Sequence, residues 1–203
     1  MLEVACIKWG QKYSAEYVNI LKRAVAMHLK TVHVFVCYTD CKDGLECASR
    51  PLPPGFKGWW NKLYLFSLNK KVLLLDLDIV VVGSLDVLLA GAGFKCIKDP
   101  WAKGFNSSVV LIMPGMSGVW DQFLIHRPDK KLHGDQDWLN IVPGFIPEFC
   151  FPDGLCASYK AEVKGRGLPQ NCCIVYFHGE PKPHEVKEDF VNSNWHQLRG
   201  VKA

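Results

Sequence analysis

The stretch "KVLLLDLDIVVV" limits what this chain can fold into more than any other, because it sets Asp76 and Asp78 inside an otherwise aliphatic run. A carboxylate loses hydration in such surroundings, so a strand excludes it unless something compensates the charge. The run "VLLL" (72–75) ends at the first acid, which places both acids where a buried strand reaches the rim of its sheet. Residues i and i+2 of an extended segment share a face, so both carboxylates are expected to point the same way. Two like charges side by side call for a cation, and an oxygen-liganded Mg²⁺ or Mn²⁺ that also grips phosphate answers that need.

The flanking sequence supplies the sheet. "LEVACIK" (2–8) reads as a strand. Ser14 is placed to cap a helix starting at Ala15, with Tyr17, Val18, Leu21, Ala24 and Val25 at helical spacing. "VHVFVCY" (32–38) is apolar on both faces, as a buried parallel strand is, and the acid-bearing run reads as the third strand. Residues 39–58 are rich in Pro and Gly and read as one long loop. "WWNKLYLFSLN" and "GVWDQFLIH" read as helices, as does the segment starting near Asp135, and "GFNSSVVLIM" and "CCIVYFHG" read as strands. Strand, helix, strand, helix, strand argues an α/β sheet of parallel order, whose ligands sit outside the carboxyl ends of the strands.

Composition narrows the partners. A 203-residue chain with 49% hydrophobic and 22% charged residues is expected to be one globular domain spanning 1–203. A net charge of +4 without a dense Lys/Arg cluster gives no nucleic-acid groove, and the longest apolar run falls short of a membrane span. Nine cysteines, without a CxxC pair and behind no leader-like segment, read as free thiols in a reducing cytosol, so a cytoplasmic location is expected.

Two enzyme classes carry acids in this way. In haloacid-dehalogenase-like phosphatases the motif is D-x-D-G-T near the chain start, whereas here Ile79 and Val80 replace the Gly and Thr and the motif lies a third of the way in. The other class is the nucleotide-sugar glycosyltransferases. "WNKLYLFSL", "VLLLDLDIVVVGSLDVLL", "DPWAKGFNSSVVLI", "GDQDWLN" and "VYFHGEPKP" follow one another over residues 60–183. In that order they resemble glycosyltransferase family 8, the glycogenin and galactinol synthase group.

The resemblance implies a GT-A fold, a Rossmann-like three-layer α/β/α architecture with a mostly parallel central sheet. It also implies transfer of a sugar from a nucleotide-sugar donor, a UDP-sugar, to an unknown acceptor, with Mn²⁺ or Mg²⁺ and with retention. Asp76 and Asp78 match the family's DxD, with the Leu77 backbone near the nucleotide. Lys62 matches a donor-facing lysine, Asn106 and Ser107 an Asn-Ser that contacts the donor sugar, and Asp135 and Gln136 the Asp-Gln beside the anomeric carbon. Gly179 and Lys182 match the G-x-x-K-P that holds the diphosphate, while Ile7, Lys8 and Tyr13 match the first nucleotide loop. The family's third metal ligand, a histidine, aligns with Tyr176. His178 lies two residues on, on the same strand face, and is expected to take that role here. Leu132 stands where the family usually has a further acid, so a non-catalytic nucleotide-sugar binder is an alternative, and a DxD phosphohydrolase is another. Trp59 and Trp60 could stack on a base or sugar, but are expected to be buried core anchors, and no role is assigned to His126, His133, His184 or His196.

Overall fold

A computed structural model describes residues 1–101, 104–143 and 150–201; Ala102 and Lys103 of the motif around Asn106 lie outside them. The chain opens with β1 (Leu2–Lys8), α1 (Ala15–His28), β2 (His33–Thr39) and a short β3 (Ala48–Pro51). A 3-10 helix (Gly58–Leu68) leads into β4 (Val72–Leu75) and β5 (Ile79–Val81). β6 (Lys95–Lys98), β7 (Phe105–Ile112), α2 (Gly118–His126) and α3 (Asp135–Leu139) follow. The described chain closes with β8 (Cys156–Ser158), β9 (Ile174–Tyr176) and α4 (Asp189–Asn194).

The main sheet has the order β3-β2-β1-β4-β7-β6, with β3, β2, β1 and β4 parallel. Alternation along its central strands shows that both faces are covered. Val4, Leu73, Leu75 and Leu111 join one core with α1, while Ala5, Leu74, Val110 and Ile112 join a second core with the 3-10 helix, α2 and α3. That is a three-layer α/β/α arrangement, as expected from the buried apolar runs. Among the described residues no helix is long and apolar enough to cross a membrane.

Three expectations are corrected. The run 72–82 is two strands rather than one: β4 lies in the main sheet, and β5 belongs to a second sheet ordered β5-β9-β8. Asp76, Leu77 and Asp78 form the junction, tied down where Asp76 N–H donates to Ser108 O at 2.9 Å and Phe177 N–H to Asp78 O at 3.1 Å. β4 is the fourth strand, because the Pro/Gly-rich loop contributes the exposed edge strand β3. β7 runs antiparallel to both of its neighbours, β4 and β6. Strand order reverses at β1–β4, so the crevice beyond Lys8 and Leu75 is the switch point where such sheets bind ligands.

Ser14 does stand at the N-cap of α1, although its side chain makes no capping bond. A firmer tie is Asp86, whose carboxylate accepts Lys30 N–H and Thr31 N–H, both at 2.9 Å, and the Thr31 hydroxyl at 2.6 Å. The Thr31 hydroxyl, with these amides, pulls its pKa from 3.8 to about 2. A depressed carboxylate stabilises the fold above the unfolded value, and the contribution fades as pH falls from about 4 toward about 2. Asp86→Ala is therefore expected to cost about 1 kcal/mol at pH 7, moderated by solvent screening, with the gap narrowing below pH 4. Urea unfolding of both proteins at pH 7 and pH 3 measures it, and a gap that widens in acid contradicts the assignment.

Candidate active site

The switch point opens into a cavity of about 510 Å³, within the range of small-molecule sites. Ile7, Tyr13, Lys62, Asp76, Leu77, Asp78, Asn106, Ser107, Asp135, Gln136, His178, Gly179 and Lys182 all line it. Of the donor, catalytic and metal residues expected from the sequence, only Lys8 does not. Its ammonium bonds the Gly10 carbonyl at 3.4 Å instead.

The rim is built by local irregularities. Between Ile97↔Asn106 and Cys96↔Val110 the β6–β7 register slips, leaving residues 107–109 unopposed on that side. Bulges of this kind re-aim side chains. Here the bulge brings the Ser107 carbonyl within 3.3 Å of the Lys62 ammonium. Asn106 Oδ1 accepts the Ser108 N–H at 2.9 Å, a local turn bond that steadies the bulge. Gly179 has φ +63, a left-handed conformation that glycine adopts without strain, and an added Cβ would lie 3.1 Å from the Lys160 ammonium.

Charges alternate through the site. Lys62 is buried and meets Asp76 Oδ1 at 2.6 Å and Asp135 Oδ2 at 3.9 Å. Lys182, also buried, meets Asp78 Oδ2 at 2.6 Å, where the Tyr13 hydroxyl also donates at 2.8 Å. Burial alone pulls the Lys62 pKa down, but Asp135 and Asp76 outweigh it and hold the ammonium charged above the usual lysine value. Burial pushes Asp76 up to about 6 against the pull of Lys62, and Asp78 adds to the push. Burial likewise raises Asp135, whose Oδ2 has no hydrogen-bond partner. Gln136 is oriented by its Nε2 donating to Asp99 Oδ2 at 2.9 Å.

Tyr176, the residue aligned with the family's histidine, is 1% exposed in the core and does not line the cavity, whereas His178 does. Burial, then the Lys160 charge, lowers the His178 pKa, favouring the neutral imidazole. Trp101 Nε1–H donates to His178 Nε2 at 3.1 Å, and Ser158 Oγ lies 2.9 Å from the same nitrogen. An indole N–H only donates, so Nε2 is the acceptor and the ring proton sits on Nδ1.

Among the described residues no three His, Cys, Asp or Glu side chains converge as an all-protein metal cage. A Mg²⁺-type cation that binds with a diphosphate needs only one or two carboxylates, the phosphates and water completing its shell. The oxygen donors of Asp76 and Asp78, both lining the cavity, fit that description.

Several cavity residues were missed or misjudged, Trp59, His133 and Lys12 among them. Trp60 is buried at 9% exposure as expected, but Trp59 is 51% exposed and lines the cavity. His133 and Lys12 line it as well. Trp59 lies three residues before Lys62, which puts both on one row of the 3-10 helix, a row that the sequence alone does not set apart from the buried one.

No family model matches the chain, and no curated protein matches it. Solved structures do. The apo form of the glycosyltransferase GlyE from Streptococcus pneumoniae TIGR4 superposes with a TM-score of 0.75 at 16% identity, covering 98% of this chain and 60% of that one. The galactosyltransferase LgtC, solved with donor and acceptor sugar analogs, gives 0.63 at 15% identity, covering 99% of this chain and 97% of that one. WbbM, a bifunctional glycosyltransferase, gives 0.65 at 14% identity over 90% of this chain and 46% of its own length. The chain thus spans less than two thirds of GlyE and nearly all of LgtC. At such identities the likeness speaks for architecture, and the architecture is the GT-A fold of glycosyltransferases.

Proposed function

We propose that this protein is a glycosyltransferase of the family 8 kind, moving a sugar from a UDP-sugar to an acceptor with retention and with Mn²⁺ or Mg²⁺. The observation that carries the reading is the convergence at the β1–β4 switch point. Acids, lysines and the Asn-Ser and Asp-Gln pairs, drawn from segments far apart in sequence, line one cavity there. The reading further takes the protein to act in the cytoplasm.

Asp76 and Asp78 would hold the cation, with His178 as a third donor once its Nε2 releases Trp101 and Ser158. The cation, when bound, offsets negative charge on the diphosphate. Lys182, a compact point charge beside Asp78, is placed to bind the same diphosphate, and the left-handed turn at Gly179 lets the backbone approach it. Lys62 holds Asp76 and Asp135 in fixed orientation from between them. The Asp135 oxygen without a hydrogen-bond partner and the Asp99-oriented Gln136 amide would stabilise positive charge at the anomeric centre.

A thermal-shift titration with UDP and MnCl₂, singly and together, tests the donor class. Together they are expected to raise the melting temperature by roughly 5–10 °C at saturation, as a ligand at about 100 times its Kd does for a chain of this size. UDP without manganese is expected to shift it little. Indifference to UDP, GDP and ADP with manganese overturns the nucleotide-sugar reading. Turnover of a bound UDP-sugar separates a transferase from a binder, and phosphate release from a phosphomonoester would point to a phosphohydrolase.

A further inference from the structure

The 3-10 helix Gly58–Leu68 divides its side chains into rows, because residues three apart eclipse each other. Trp60, Leu63 and Phe66 form a buried row. Trp59 and Lys62 form the row that faces the cavity. Trp59 keeps half its surface exposed, yet its ring is fixed from two sides. Its Nε1–H donates to the His133 carbonyl at 2.9 Å. Its edge also lies so close to Gly134 that a Cβ there would fall 2.6 Å from Nε1. Gly134 is extended at φ −171, so the glycine answers to this close approach rather than to backbone strain. Residues 133 and 134 lead directly into Asp135 and Gln136. The exposed Lys12 ammonium stands 5.9 Å from the Trp59 ring centroid and 5.4 Å from that of Tyr13.

A large apolar ring that stays half exposed, with its polar edge satisfied and its orientation fixed, is a preformed contact surface. The matching ligand has one apolar face and a polar rim. A pyranose is built that way, with C–H groups on a face and hydroxyls around the edge. Tyr13 and Lys182 share Asp78, whereas Trp59 contacts the backbone leading into Asp135. Resting on the function proposed above, we propose that Trp59 is the platform of the acceptor subsite and that the acceptor is a saccharide stacked on its indole. Lys12 donates to the hydroxyls of that sugar.

The test uses the full chain, wild type and the variants Trp59→Ala and Trp59→Phe. Lactose, maltose and cellobiose are the probes, read by saturation-transfer NMR with and without UDP and MnCl₂. At least one disaccharide is expected to bind the wild type, to bind Trp59→Ala about tenfold more weakly, and to recover most of that loss in Trp59→Phe. The UDP and manganese thermal shift is expected to stay as in the wild type in all three. Disaccharide binding equal in wild type and Trp59→Ala overturns the proposal, as does a wild type that binds UDP and manganese but none of the three sugars. Loss of the UDP shift in Trp59→Ala with sugar binding intact assigns the ring to the nucleotide instead. A wild type that binds disaccharide through Trp59 but ignores every nucleotide leaves the platform standing and removes the donor reading.

Discussion

Lys62→Met is expected to lower the unfolding free energy by about 3–5 kcal/mol at pH 7, the cost of leaving buried charge without its partner. Methionine preserves most of the volume, so the loss reports the ammonium rather than a cavity. Lys62 stands between Asp76 and Asp135, and its removal leaves two acids facing each other across a half-dry site. Burial already holds Asp76 at about 6 with the lysine present, and without it both carboxylates are pushed further up. A raised carboxylate makes the folded state bind more protons than the unfolded one, so stability falls as pH rises through the gap between the two values. The deficit of the variant is accordingly expected to shrink as pH is lowered toward 4. Denaturant unfolding of both proteins at pH 7 and pH 4.5 measures it, and a deficit below 1 kcal/mol at pH 7 means the ammonium is not balancing those acids.

Asp78→Ala is expected to erase the joint UDP and manganese stabilisation and to reduce sugar transfer on the order of 100-fold or more. Asp78 Oδ2 receives both the Lys182 ammonium and the Tyr13 hydroxyl, so alanine also strands a buried lysine. Asp78→Asn separates the two effects: it keeps an oxygen acceptor and the side-chain shape while removing the charge a dication requires. The amide variant is expected to fold and still lose manganese-dependent UDP binding. Wild-type manganese dependence in Asp78→Asn would take this residue out of the donor site.

Much of the fold was legible because burial writes itself as hydrophobic pattern. The runs 4–7, 72–75 and 109–112 are apolar on both faces since the sheet is covered on both faces, and the acids at 76 and 78 mark where that cover ends. Pairing left weaker traces. Nothing in "VLLLDLDIVVV" distinguishes one strand from two, because β4 and β5 are equally apolar and only their neighbours in space differ. The direction of β7 depends on the neighbours it pairs with rather than on its own composition. At the site, Asp76 and Asp78 were readable as charges inside an apolar run, whereas Asp135 and Lys182, set among polar residues, came only through the family resemblance. Trp59 was not readable, because a paired Trp-Trp looks equally like core on either side, and the choice was made by a glycine 75 positions away. Lys8 was read toward the cavity from the family's first nucleotide loop, but it is taken up by the Gly10 carbonyl.

Asp78 and Lys182 lie 104 positions apart. On a ribosome, the aspartate emerges many seconds before its partner, at roughly 5–20 residues per second. For that interval the segment after β4 carries a carboxylate that hydrophobic collapse would bury uncompensated. The end of β4 is therefore expected to stay solvated until Lys182 has emerged, so that the rim closes only after the last strand, β9, has been made.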